Sequence, residues 1–102
     1  MTLESALRAI RAHKAELSAA GVSSAAVFGS LARGDNAAGS DIDLAIRLAD
    51  DSVPKGFEYF GLIEDLGARF SEILGAPVDI VVEPVRRESL RQAIERDRIV
   101  AF

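Results

Sequence analysis

Two aspartates one residue apart, Asp41 and Asp43, open the alternating stretch D-I-D-L-A-I-R-L from Asp41 to Leu48. Strand side chains repeat with a period of two, so Asp41 and Asp43 share one face while Ile42, Leu44, Ile46 and Leu48 share the other. Neighbouring carboxylates repel and raise each other's pKa unless a cation lies between them. A hard divalent cation such as Mg²⁺ accepts one or two carboxylates and keeps room for phosphate oxygens. Upstream, the apolar run from Ala25 to Phe28 stops at Gly29-Ser30. Glycine lets the backbone approach a ligand closely, and its turn can aim N–H groups outward. Ser30 adds a hydroxyl. One corner suits an anion and the next strand suits the metal that neutralises it, which is equipment for phosphoryl or nucleotidyl transfer.

The remaining pattern must hold that corner in place. Thr2 can cap a helix running to about Ala20, closed by Gly21, with Leu3, Leu7, Ile10 and Leu17 as its apolar stripe. Lys14 falls inside the stripe and is expected to lay its stem on the core with its ammonium in water. His13, the sole histidine, has no second metal-ligating residue near it in sequence and is read as a partly exposed helix residue. Val22 to Phe28 reads as the first strand, Leu31 to Gly34 as a helical turn, and Arg33 to Ser40 as a polar loop. The turn would offer N–H groups to a phosphate, with Arg33 one turn further on.

After a loop containing Asp50, Asp51, Ser52, Pro54 and Gly56, the spacing of Tyr59, Ile63, Leu66, Phe70 and Ile73 predicts the main core helix, from about Gly56 to Leu74. Phe57 and Phe60 point off that stripe, towards a second surface or a partner. Gly61 and Gly67 suggest close approach of another backbone. Val78 to Glu83 reads as an interior third strand, with Asp79, Val81 and Glu83 on one side. A buried, unpaired Asp79 would be costly, and a metal shared with Asp41 and Asp43 removes the difficulty. Glu83 shares that side but lies about 7 Å further along, so it is not counted as a ligand. A last helix is expected from about Val85 to Arg96, with Leu90, Ala93 and Ile94 inward and its arginines on a solvated face. The apolar tail from Ile99 to Phe102 either returns as a short strand or meets a partner.

These elements make an α/β (α+β) fold: one domain over residues 1–102, a small mixed sheet, and helices packed mainly on one face. Asp41, Asp43 and Asp79 line the other, open face. The chain has 49% hydrophobic and 27% charged residues, ordinary for a soluble globule. It lacks cysteine, which excludes disulfides, thiolate metal sites and a cysteine nucleophile. No apolar run approaches the roughly 18 residues that span a bilayer, and M-T-L-E-S is not the basic start of a signal peptide, so a cytoplasmic protein is expected. The net charge of −4 and the absence of a basic run argue against direct nucleic-acid binding. A metal-bound nucleotide remains compatible with that charge.

Gly29-Ser30, ten intervening residues and Asp41-x-Asp43 resemble the signature of the polymerase-β-like nucleotidyltransferases. At this length the whole chain is similar to their minimal members, the MNT antitoxins, often encoded beside HEPN-type ribonuclease toxins. The resemblance implies a catalytic and metal-binding triad of Asp41, Asp43 and Asp79, with Gly29, Ser30, Arg33 and Ser40 on the nucleotide. It further implies Mg²⁺ as two ions, ATP as donor, and transfer of AMP to a tyrosine of a cognate HEPN toxin. Within these 102 residues no further acceptor-recognising domain is expected, so a partner is expected to present the acceptor. Two other readings stand beside this one: a non-catalytic module that blocks a partner sterically, and nucleotidyl transfer to a small molecule.

Overall fold

The computed structural model describes residues 1–36 and 39–102. Of the expected loop from Arg33 to Ser40, Ala37 and Ala38 lie outside the described residues. The elements, in chain order, are α1 (Leu3–Ala12), α2 (Lys14–Ala19), β1 (Val22–Phe28), α3 (Gly29–Arg33), β2 (Ile42–Leu48), a 3-10 turn (Asp50–Ser52), α4 (Phe57–Leu74), β3 (Val78–Val82), α5 (Glu88–Asp97) and β4 (Ile99–Val100).

The sheet runs β3-β2-β1-β4. β1 is antiparallel to β2 and β4, and β2 is parallel to β3. A parallel pair needs a crossover, and α4 supplies it. The sheet is mixed, as expected. β3 is an edge strand, however, not the interior strand read from its Val and Ile content. The β-branched residues reflect contact with α4 and α5 on two faces, not a strand on either side. Asp79 is accordingly exposed.

Ile42, Leu44 and Ile46 of β2 and Val27 of β1 are buried beneath Ala6, Ile10, Leu17, Leu66, Phe70 and Leu74 of the N-terminal helices and α4. Each large side chain taken fully out of water stabilises the fold by about 1.5–3 kcal/mol, so this layer fixes the sheet. The opposite face is not wholly open. Ile94, with Leu90 beside it, packs on Phe28 and Ala45, so α5 roofs one end.

The single N-terminal helix expected to reach Ala20 is two. Thr2 caps α1 reciprocally with Ser5, and the chain breaks at His13, whose Nδ1 lies 2.9 Å from the Ala9 carbonyl. The break lets Leu17 stay buried while Lys14 turns out, its ammonium 5.8 Å from the Phe102 ring centroid. The tail returns as β4 against β1, and Arg11 donates to the Ala101 carbonyl at 2.8 Å. Gly61 and Gly67 do not admit a second backbone. A side chain at Gly61 would meet nothing within 4 Å, and one at Gly67 only the Ile80 tip, because both lie on the flank of α4. Phe57 and Phe60 are 92% and 69% exposed.

Candidate active site

Register places the corner. Phe28, the last residue of β1, pairs with Asp43, so Asp43 sits beside the point where β1 turns into α3. On the other side of β2, Asp43 is level with Asp79 in parallel register, and the two carboxylates share the face that α5 partly covers. Gly29 occupies the turn with φ +75°, and a Cβ there would lie 2.2 Å from Asp43 Oδ2. No side chain fits: the backbone and the carboxylate are in direct apposition. No side chain caps α3.

A cavity of about 500 Å³ opens here. Gly29, Ser30, Arg33, Asp43 and Asp79 line it, joined by Leu90, Ala93 and Asp97 from α5. Five of the seven expected site residues thus meet in one place. Ser40 and Asp41 do not line it; both are exposed just before β2. A larger groove, about 730 Å³, runs along α2 and α4 past His13, Glu16, Arg69 and Glu72. Its Glu16–Arg69 ion pair at 2.9 Å is surface chemistry, and nothing there matches the convergence at Asp43.

Desolvation, then the charge of Asp79, then that of Asp41, push the Asp43 carboxyl above the usual carboxylate range, and Arg33 offsets part of the rise. Among the described residues, no basic side chain lies within 4 Å of Asp43 or Asp79, and no three His, Cys, Asp or Glu side chains converge tightly enough to hold a metal ion. The expected three-carboxylate cluster is therefore formed in part. Asp43 and Asp79 come together, while Asp41 is exposed, does not line the cavity, and acts on Asp43 through its charge. Three carboxylates repel, so drawing Asp41 in requires positive charge between them. The donors are all carboxylate or hydroxyl oxygen, and crowding already opposes the charge on Asp43. That donor set suits a hard divalent cation.

Arg33, expected on the nucleotide, is held by two acids. Its Nε donates to Asp35 Oδ2 at 3.2 Å and its Nη1 to Asp97 Oδ2 at 2.7 Å. Those two hydrogen bonds raise its pKa further. Asp97 is the residue that the sequence reading missed. It is buried, Arg96 bonds both its oxygens, and Arg96 followed by Arg33 holds its carboxyl below the usual range. Arg96 and Arg98, read as solvated, are both tied to acids. One signal was present: Asp97 ends a helix, where the dipole favours bases, so an acid there needs a partner. Glu83 is taken by Arg98, with Arg47 at 3.7 Å, which keeps it out of the cavity's chemistry.

The profile of the nucleotidyltransferase domain matches residues 8–101. A Methanocaldococcus jannaschii protein named "Putative protein adenylyltransferase" is 37% identical over 79 residues, covering 76% of this chain and 75% of that protein. A solved structure described as a "putative minimal nucleotidyltransferase" superposes with a TM-score of 0.72 at 32% identity, covering 97% of this chain and 95% of the other. A toxin–antitoxin structure with AMP-PNP gives a TM-score of 0.64 at 20% identity, over 90% of this chain and 72% of that one, a likeness of fold. A corner that apposes Gly29 to Asp43, built on this mixed sheet and matched along almost the whole chain, places the protein in the nucleotidyltransferase domain family.

Proposed function

We propose that the chain is a Mg²⁺-dependent cytoplasmic nucleotidyltransferase that moves AMP from ATP to a hydroxyl of a partner protein, the HEPN-type toxin of a toxin–antitoxin pair. The observation that carries this reading is the meeting of Asp43, Asp79, Gly29 and Ser30 in one cavity, where burial first and the charges of Asp79 and Asp41 next oppose ionisation of Asp43. The donor and acceptor rest on the relative named as an adenylyltransferase and on the toxin–antitoxin neighbours.

In this mechanism Gly29 and Ser30 hold the β- and γ-phosphates, with Arg33 assisting; Ser40, which lies outside the cavity lining, has no role in it. Asp43, with Asp41 and Asp79, would hold Mg²⁺ as two ions, which supply charge neutralisation to the triphosphate and acidify the attacking hydroxyl. Asp79, at the exposed edge of the cavity, meets the incoming acceptor and takes its proton. The acceptor oxygen bonds the α-phosphorus, the bond to the bridging oxygen breaks, and pyrophosphate leaves with the electron pair. The test is incubation with labelled ATP, Mg²⁺ and the product of the neighbouring gene, followed by intact-mass measurement. The expected result is one or more AMP masses on that product, lost with Asp43→Asn; no mass gain on any partner that binds would overturn the reading.

Steric inhibition is a second reading, favoured by one feature. Phe57 and Phe60, three residues apart in the first turn of α4, are both exposed and would need no nucleotide to bind a partner. A variant carrying Asp41→Asn and Asp43→Asn separates the two: if it neutralises the partner as well as the parent does, inhibition is steric.

A further inference from the structure

Arg33 closes α3, one turn beyond Gly29 and Ser30, and lines the same cavity. A guanidinium carries five N–H donors in a planar fork. Asp35 takes the Nε donor and Asp97 takes one donor of Nη1. Three remain, one on Nη1 and two on Nη2. The Arg33 side chain is 42% exposed, and without restraint it would sample many rotamers, all but a few useless to a ligand. The Asp97 side chain is 4% exposed and is itself fixed by Arg96, at 3.0 and 3.2 Å. It is a buried stop against which a half-exposed arginine rests.

We propose that Asp97 is a positioning residue for the nucleotide: from the end of α5 it holds the Arg33 guanidinium at the cavity wall, with three donors left for triphosphate oxygens. Helix α5, in the chain's last third, is thereby part of the nucleotide site, although it lies far from Gly29 and Asp43 in sequence. The inference rests on the nucleotidyl-transfer reading. The opposite role, a latch that keeps Arg33 from phosphate, fits the geometry less well. Asp97 takes a single Arg33 donor, and Arg96 already meets much of its charge. A phosphate need not displace Asp97 to reach the rest of the fork.

The test is calorimetric titration of the full chain with ATP and Mg²⁺, without acceptor, on the parent, Asp97→Asn, Arg33→Ala and the double variant. Asp97→Asn is expected to weaken ATP binding roughly tenfold, the scale of one charge-assisted hydrogen bond. Arg33→Ala should weaken it at least as much, and the double variant should match Arg33→Ala, because Asp97 acts only through Arg33. Should Asp97→Asn fail to fold, Asp97→Glu keeps the charge and misplaces it; it should weaken binding several-fold in the parent and not at all beside Arg33→Ala. Unchanged or tighter binding by the Asp97 variants, or additive losses in the double variant, overturns the inference alone. If the parent binds no ATP, the transferase reading falls, and this inference with it.

Discussion

Two pairs of acids lie around α5, and the chain treats them differently. Asp97 has Arg33 and Arg96; Glu83 has Arg98 and, further off, Arg47. Asp43 and Asp79 have no basic partner within 4 Å among the described residues, though they stand side by side across two strands. An acid that serves the fold is satisfied by the fold, since a carboxylate shielded from water needs a counter-charge. An acid left crowded at the wall of a cavity raises the free energy of the folded state and persists where a ligand supplies the missing charge. The contrast is strongest between Asp43, whose carboxyl is pushed up, and Asp97, whose carboxyl is held down.

The sharpest way to break that contrast is Asp43→Asn. On the proposed reading, in which Asp43 would hold the metal, transfer activity read with labelled ATP should fall about 10³-fold when its charge is lost. Thermal unfolding should show a midpoint equal to or above the parent's, because an unfavourable charge has gone. Activity within tenfold of the parent, or a clear loss of stability, would place Asp43 with the structural acids.

Next in size is Gly29→Ala. A Cβ there would lie 2.2 Å from Asp43 Oδ2, at a φ of +75° that side chains rarely adopt. The expected cost is about 1–2 kcal/mol of stability in urea unfolding. The displaced carboxylate should lower transfer by about 100-fold. If transfer follows only the folded fraction, the close apposition does not matter to the chemistry.

These two residues are legible in the sequence because their information is local. A period of two puts Asp41 and Asp43 on one face whatever surrounds them, and Gly29 ends an apolar run. Strands β1 and β2 were legible for the same reason. Asp79 was readable as to side but not as to strand order: β-branched content reports contact on two faces, and α5 supplies the second. Asp41 illustrates a further limit: alternation governs a side chain only within the strand, and β2 begins at Ile42, so the pattern does not carry Asp41 into the cavity. Asp97 was out of reach of short-range pattern. Its partner Arg33 is 64 residues away, and only the packing of α5 against α3 brings them together. The helix break at His13 was hidden because Ile10 and Leu17 keep helical spacing across it.

On the structural side of the contrast, Arg98→Ala leaves Glu83 with Arg47 alone, at 3.7 Å. The Glu83 side chain is 9% exposed, and its Oε1 is buried with no hydrogen-bond partner. Losing the better partner of so shielded a carboxylate should cost about 2 kcal/mol in urea unfolding. Adding Glu83→Gln should recover part of the loss, since the uncompensated charge is then gone. Transfer per folded molecule should not change. A double variant no more stable than Arg98→Ala would mean that packing of the arginine stem, not charge, is what Arg98 contributes.

The smallest expected effect is in the pH dependence of stability, where Asp43 and Asp97 should slope in opposite directions. The Asp43 carboxyl is raised from the ordinary 3.8, so between that value and its folded pKa the native state holds the proton more tightly than the unfolded chain. Stability falls as pH rises through this window, by less than one proton's worth of slope. Asp43→Asn removes that fall, so its advantage over the parent should open upward from about pH 4. Asp97 is lowered from 3.8, so its contribution is present above that value and disappears as pH falls through the folded pKa. Asp97→Asn should therefore approach the parent in strong acid and lag it at neutral pH. Saturating Mg²⁺ should flatten the Asp43 window, because a bound cation favours the ionised form, and leave the Asp97 window in place. Guanidinium-independent thermal melts in matched ionic strength from pH 3 to 7 read both slopes. If the two differences run in the same direction, or if Mg²⁺ alters both alike, the acids around α5 form one population and the division between them does not hold.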